Sequence, residues 1–218
     1  MRSSTLLTPA DAYRAALRGA DCRVIAADAP GGVVADLDAW RWAADPNKSD
    51  HELLARCSGS TVDIGCGPGR MTAALMARGV AALGVDVVAE AVRQTNARGG
   101  MALERDVFSR LPGEGRWDTA LLADGNIGIG GDPLTLLRRC RAVLRPGAVA
   151  LVETSPDRGH DIRTTVTLHG LGGRRSHPVP WAVLGSAAVV DLAASAGFVA
   201  VEEWHVGGRA FVMLRHAG

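Results

Sequence analysis

The chain lacks an excess of either charge. Lys and Arg number 24 against 23 Asp and Glu, a formal net charge of +1 over 218 residues. No global field therefore draws it to nucleic acid or to an anionic membrane surface. Cysteine is sparse: Cys22, Cys57, Cys66 and Cys140 form no C-x-x-C pair, and no histidine stands at a zinc spacing from another ligand. These thiols are expected to be reduced and to pack as small hydrophobes. The N-terminal MRSSTLLTPADAYRAAL lacks the apolar core of a signal peptide. The longest apolar runs are strand-sized, too short for a membrane-spanning helix. Internal repeats and low-complexity tracts are absent as well. What these absences leave is a cytoplasmic α/β-sized protein, one compact domain with a small extension.

What is present is a regular rhythm from residue 59 onward. Before it, TPADAYRAALRG reads as a short helix, with Thr8 as cap, Pro9 in the first turn and Gly19 as stop. DLDAWRWAADPNKSD reads as a loop-rich approach, after which Asp50 caps a helix running to about Cys57. Then STVDIG, VAALGVD, MALERD, WDTALLAD and AVALVETS read as strands. Between them PGRMTAALMARG, AEAVRQTNARG and DPLTLLRRCRAVLRPG read as helices, the first with Pro68 at its start and the last capped by Asp132. Continuous apolar strands alternating with helices predict a parallel sheet covered on both faces. After Pro156 the rhythm changes to a polar, Gly-rich stretch carrying His160, His169 and His177. GSAAVVDLAASAG follows as a helix capped by Ser186, and Gly207-Gly208 divides the last apolar stretch into a hairpin. The expected fold is thus α/β: a doubly wound, mostly parallel seven-stranded sheet with an antiparallel terminal hairpin. Residues 1–58 form an N-terminal segment over the site, and residues 59–218 form the domain, with an insertion at 156–184 facing substrate.

The stretch TVDIGCGPGR places Gly65, Gly67 and Gly69 at alternate positions between a strand and a helix. Backbone N–H groups and a helix N-terminus converge there. The spacing is G-x-G-x-G, not the G-x-G-x-x-G of dinucleotide sites, and Asp63 precedes it. An acid in that place suits a ligand with a cationic or amino end. Asp86 closes the second strand, 21 residues after Gly65, where a carboxylate can accept from a ribose diol. Asp106 closes the third, where it can accept from an exocyclic amine.

Together these residues resemble the class I S-adenosylmethionine-dependent methyltransferases, a Rossmann-like family, over about residues 59–218. VDIGCGPGR is similar to the family's first motif, GVD to its ribose acid, RDVF to its adenine loop and VLRPGAVALVE to its turn into the fifth strand. The resemblance implies S-adenosyl-L-methionine as cofactor. Gly65, Cys66, Gly67 and Gly69 would wrap its methionyl part, with Asp63 near the amino group. Asp86 and Val87 would hold the ribose, Asp106 and Val107 the adenine, and Asp124 would face the methionine side and the substrate.

Methyl transfer from a sulfonium needs positioning more than a fixed catalytic triad, and a base only where the acceptor must lose a proton. LLADGNIGIGGDP follows the fourth strand, where donor and acceptor should meet, so Asp124 and Asn126 are candidate catalytic and substrate contacts. It lacks the Asp/Asn-Pro-Pro-Tyr/Phe pattern of enzymes that methylate nucleic-acid bases. Trp40 is a candidate substrate wall and Trp42 an anchor of the N-terminal segment. His160 and His169 are candidate general bases, and otherwise surface histidines. No metal is expected, since Asp124 and Glu153 lack the Asp-Asn pair of a divalent site. The expected activity is methyl transfer to a small molecule, oxygen before nitrogen or carbon, with neither nucleic acid nor membrane as partner. A non-catalytic binding module for the same cofactor or a nucleoside is the alternative, followed by an NAD-dependent oxidoreductase.

Overall fold

The structure, a computed structural model, describes residues 6–27, 33–36, 39–170 and 172–218, with 33–36 and 39–40 described by backbone alone. In chain order the elements begin with α1 (Pro9–Leu17), β1 (Arg23–Ala26), β2 (Val33–Asp36), α2 (Ala39–Ala43) and α3 (Lys48–Leu54). Then come β3 (Thr61–Ile64), α4 (Arg70–Ala77), β4 (Ala82–Asp86), α5 (Ala89–Ala97), β5 (Ala102–Glu104) and β6 (Trp117–Leu122). A 3-10 segment (Asn126–Gly131) leads into α6 (Pro133–Val143) and β7 (Leu144–Thr154). The chain closes with β8 (Asp161–His169), β9 (Val179–Leu184), α7 (Ser186–Ser195), β10 (Phe198–Val206) and β11 (Arg209–His216).

Seven strands form the main sheet in the order β10-β11-β7-β6-β3-β4-β5. The pairs among β7, β6, β3, β4 and β5 are parallel, whereas β11 runs antiparallel to both β7 and β10. The terminal hairpin is therefore present, and its second strand inserts between the fifth strand and its own partner. Alternate residues of each strand serve opposite faces. On β6, Ala120 and Leu122 join the cluster packed against α6 and α7, while Leu121 joins the one packed against α3 and α4. All six residues are buried at Leu136, Leu137, Cys140 and Val143 of α6 and at Leu53 and Leu75 opposite, so both sheet faces are covered. Successive strands are added outward in opposite directions from β3 and β6, and crevices at such switch points take ligands.

Several local expectations need correction. The approach segment contains α2 rather than loop alone. Asn47, not Asp50, caps α3: Asn47 Oδ1 accepts the Asp50 N–H at 3.1 Å, and Asp50 Oδ2 accepts the Asn47 N–H at 2.9 Å, a reciprocal capping box. α4 starts at Arg70 behind Gly69, one turn residue beyond Pro68. α7 is capped by Gly185, with Ser186 as its first residue. The 156–184 stretch is the largest difference, because it folds as β8 and β9. These pair with β1 and β2 into a second, antiparallel sheet in the order β2-β1-β8-β9. The N-terminal segment and the insertion thus build one cover together. Among the described residues no helix is long and apolar enough to cross a membrane.

Candidate functional site

The carboxyl edge of the main sheet and the inner face of the second sheet enclose a cavity of about 850 Å³. Its floor is the turn from β3 into α4. The Gly65 and Cys66 N–H groups both donate to the Val85 carbonyl, at 2.8 and 3.1 Å, which pins the turn to β4. The Gly67 N–H donates to Asp86 Oδ2 at 3.1 Å, and the Gly67 carbonyl accepts from Thr95 Oγ1 at 2.9 Å. Gly67 has φ +53°, and a Cβ there would stand 3.2 Å from the Tyr13 hydroxyl. Backbone and phenol are therefore closer than any side chain at 67 comfortably allows.

The acids at this edge differ in environment. Asp63 is buried beneath the turn and accepts from Thr72 Oγ1 at 2.6 Å; burial pushes its carboxyl up to about 6. Asp86 is buried as well, and burial raises it despite the Val88 and Gly67 N–H groups it accepts from. Asp106 is exposed, and its Oδ1 accepts the Phe108 N–H at 2.9 Å, an Asx turn into the loop that carries buried Val107. Val87, 59% exposed, lies beside Asp86 on the cavity wall, an apolar surface available to a ligand.

Asp124 sits at the end of β6 with φ +53°, the described non-glycine residue in the left-handed region. Three contacts hold it there. Its N–H donates to Glu153 Oε2 at 2.5 Å, Arg70 Nη2 donates to both carboxylate oxygens at 2.6 and 2.8 Å, and Arg209 Nη2 lies 3.4 Å away. Arg209 also grips Glu153 through two bonds of 2.6 Å and Asp50 at 2.5 Å, while Arg70 pairs with Asp50 too. Burial alone would raise Asp50, but the two arginines and the Asn47 N–H hold it below the ordinary carboxylate value. Two arginines thus bind three carboxylates from α3, β6 and β7 into one cluster. The sequence reading gave Arg70 and Arg209 no role, Asp50 only that of a helix cap, and Glu153 only that of a metal ligand considered and set aside. Arg70 closes the glycine motif, whereas the other three meet only through sheet topology.

α1 and the second sheet close the cavity. Arg18 pairs with buried Glu90 at 2.9 Å and Gln94 Nε2 donates to the Leu17 carbonyl at 3.0 Å, fixing α1 on α5. This places Tyr13 over Gly67. Burial foremost, then the neighbouring Asp86, Cys66 and Asp124, raises its phenol further, so it stays protonated. Trp42 meets the Tyr13 ring edge-on with centroids 5.9 Å apart, so it both anchors the segment and lines the cavity. The second sheet turns Val24 and Ala26, Ile162, Thr164, Val166 and Leu168, and Val179, Trp181 and Val183 inward, and Arg163 of β8 also reaches the cavity lining. β9 rests on the 3-10 segment, where a Cβ at Gly128 would collide with the Ala182 carbonyl and the Trp181 indole.

Of the predicted site residues, Asp63, Gly65, Cys66, Gly67, Asp86, Val87, Asp106, Val107, Asp124 and Asn126 share this cavity. Gly69 does not line it; with φ +84° it makes the turn into α4 against Thr95. The Cys66 thiol packs near Thr95 and burial raises it, so only the backbone around it is available. Asn126 Nδ2 donates to the Ile64 and Gly65 carbonyls at 2.8 and 2.9 Å, clamping the 3-10 segment to the glycine turn. The two histidines stand away from the cavity. His160 bonds Ser155 Oγ at 2.8 Å and Asp157 at 3.1 Å, and His169 bonds Thr167 Oγ1 at 2.8 Å within β8. The strand pairing of 161–169 turns His169 to the face opposite Val166 and Leu168. The side chain of Trp40 lies outside the described residues. Among the described residues no group of three or more His, Cys, Asp or Glu is arranged to hold a metal ion.

A family model described as a methyltransferase domain matches residues 61–147. Over 126 residues the chain is 29% identical to the trans-aconitate 2-methyltransferase of Paracidovorax citrulli strain AAC00-1, covering 54% of this chain and 48% of that protein. The chain therefore spans about half the length of the curated relative it matches. A Bacteroides fragilis S-adenosylmethionine-dependent methyltransferase, solved with S-adenosyl-L-homocysteine, superposes with a TM-score of 0.78 at 20% identity, all of both chains covered. The Burkholderia thailandensis 1,6-didemethyltoxoflavin N1-methyltransferase, with that substrate and S-adenosylhomocysteine bound, superposes with a TM-score of 0.62 at 22% identity. That match covers 83% of this chain and 82% of the other. With the strand order β10-β11-β7-β6-β3-β4-β5, a glycine turn after β3 and acids at the ends of β4 and β5, the chain has the fold of these methyltransferases, and its residues 61–147 match a methyltransferase domain.

Proposed function

We propose that the protein transfers a methyl group from S-adenosyl-L-methionine to a small organic acceptor held under the second sheet. The observation that carries this reading is the cavity itself: about 850 Å³, with the glycine turn and Asp86 on its floor and an apolar sheet above. That volume accommodates a cofactor with a small acceptor beside it. The cofactor fits the residues present. A Cβ at Gly67 would fill the cradle against Tyr13, and the acids around it suit an amino group and a ribose diol. Asp86 and Val87 are assigned to the ribose, Asp106 and Val107 to the adenine, and Gly65, Cys66 and Gly67 to the methionyl backbone, with Asp63 and Asp124 towards its amino end.

Bound there, S-adenosylmethionine supplies a methyl group already activated on a sulfonium. The protein's own task is then alignment and exclusion of water. The apolar inner face of the second sheet excludes water. The Arg70–Asp124–Arg209 cluster fixes the end of β6 next to the acceptor space. Tyr13, held protonated, donates a hydrogen bond rather than accepting a proton. The name of the Paracidovorax relative, a trans-aconitate 2-methyltransferase, makes an organic acid the second reading for the acceptor.

Turnover separates this proposal from a binding module. The purified protein is incubated with S-adenosylmethionine carrying a labelled methyl and a panel of ring-containing small molecules. Label in an acceptor, at a rate far above that of Asp86→Ala, is expected. Tight cofactor binding with no label in any acceptor would favour the binding module.

A further inference from the structure

The inward residues of the second sheet say what kind of acceptor the cavity takes. Val24, Ala26, Val166, Leu168, Val179 and Trp181 face the space above the glycine turn. None carries a charge, and the Trp181 indole adds an aromatic surface opposite the floor. An anionic acceptor would leave water for this surface, a large desolvation cost unless a cation is free to meet it. The cations that line the cavity are committed elsewhere: Arg70 is shared between Asp50 and Asp124, Arg163 is paired with Asp161 at 2.5 Å, and Arg105 stands beside Asp106 at the end assigned to the adenine.

The floor beneath is acidic. Asp63, Asp86 and Asp124 line it with Arg70, and behind them Asp50 and Glu153 stand with Arg209, five carboxylates to two guanidiniums. Such a surface repels an anion and favours positive charge appearing above it. The wall's titratable groups are also engaged. Asp63 accepts from Thr72, Asp86 from two backbone N–H groups, Asp106 from Phe108 and Asp124 from Arg70. An acceptor that brings its own lone pair needs none of them as a base.

We propose, resting on the methyltransferase reading above, that the acceptor is an uncharged nitrogen base on an apolar, ring-containing body. The nitrogen lone pair forms the new N–CH3 bond as the C–S bond of the sulfonium breaks. Sulfur keeps the bonding pair and leaves neutral, and the positive charge ends on nitrogen above the acidic floor. No proton has to leave for the bond to form. This replaces oxygen, the acceptor expected from the sequence, with nitrogen.

Three two-ring probes of similar shape test it: isoquinoline, an uncharged nitrogen base at neutral pH; 2-naphthol, an uncharged hydroxyl; and 2-naphthoate, an anion. Binding is read by calorimetry on the S-adenosylhomocysteine complex, so a failure of cofactor binding is seen first and separately. The naphthoate is expected to bind at least tenfold more weakly than isoquinoline. With S-adenosylmethionine, mass spectrometry is expected to find N-methylisoquinolinium and no methoxynaphthalene or methyl ester. Thr164→Lys, which puts a cation among the inward residues, is expected to reverse the binding preference. Trp181→Ala should weaken isoquinoline about tenfold and Trp181→Phe much less, which separates lost stacking from lost folding. Naphthoate binding as tight as isoquinoline, methylation confined to oxygen, or no preference among the probes overturns the proposal.

Discussion

Replacing Arg209 by methionine tests whether the charged cluster at the end of β6 holds the fold together. Arg209 is only 13% exposed in its side chain and meets Glu153 twice at 2.6 Å, Asp50 at 2.5 Å and Asp124 at 3.4 Å. Methionine keeps much of the apolar stem that packs over the Phe211 ring, where the guanidinium carbon lies 5.3 Å from the ring centroid. What is lost is the charge. Asp50, wholly buried, would then share Arg70 with Asp124, and Glu153 would keep only the Asp124 N–H. Removing one partner of a buried pair costs about 3–5 kcal/mol. Since Asp124 and Glu153 retain some access to water, the lower end, about 3 kcal/mol, is expected. With a urea dependence of about 2.5 kcal/mol per molar, the unfolding midpoint should fall by roughly 1.2 M. The sign with pH follows from Asp50. Its folded carboxyl lies below the ordinary value, so its stabilisation is present above about pH 4 and is lost as pH falls through the folded value. The gap between wild type and variant should therefore narrow on acidification below about pH 4. A midpoint shift under about 0.4 M, or a gap unchanged at low pH, would refute the reasoning.

Asp63→Asn should flatten one part of the pH–stability curve. The wild-type carboxyl is raised to about 6 by burial, so the stability of its protonated form is lost as pH rises from about 4 through 6, about 3 kcal/mol at most. Urea titrations at pH 4 and pH 7 should show the variant gaining relative to wild type at the higher pH; parallel curves would remove the burial argument. Gly67→Ala, at φ +53° with a Cβ 3.2 Å from the Tyr13 hydroxyl, should weaken S-adenosylhomocysteine binding at least tenfold while the protein stays folded by circular dichroism. Unchanged affinity would show that the ligand does not approach this backbone. Asp86→Ala removes the acceptor of the Gly67 and Val88 N–H groups as well as the ribose contact, so affinity should fall roughly 10–100-fold. Full retention would move the ribose elsewhere.

The main sheet was legible because each βα unit carries its own punctuation. Gly65-x-Gly67-x-Gly69, Pro133 behind Asp132, and Gly207-Gly208 each fix a local conformation that tertiary context does not override. The acids at the ends of β4 and β5 followed from the same local reading. The cover was harder to read. Ile162, Thr164, Val166 and Leu168 do alternate, but threonines on both faces and the neighbouring glycines obscure the period. Its partner β1 lies far away in the chain, so pairing across the sheet could not be inferred locally. The charged cluster was invisible for the same reason: Asp50 and Arg209 are 159 residues apart. The histidines drew attention by type, yet their hydrogen bonds to Ser155, Asp157 and Thr167 show placement outside the cavity.

The most direct test of the account is a calorimetric titration of the purified protein with S-adenosylmethionine, S-adenosylhomocysteine and NAD in parallel. The account predicts one site per chain for the first two, lost together in Gly67→Ala, and no heat from NAD. Binding of NAD with no response to either sulfur ligand would contradict it.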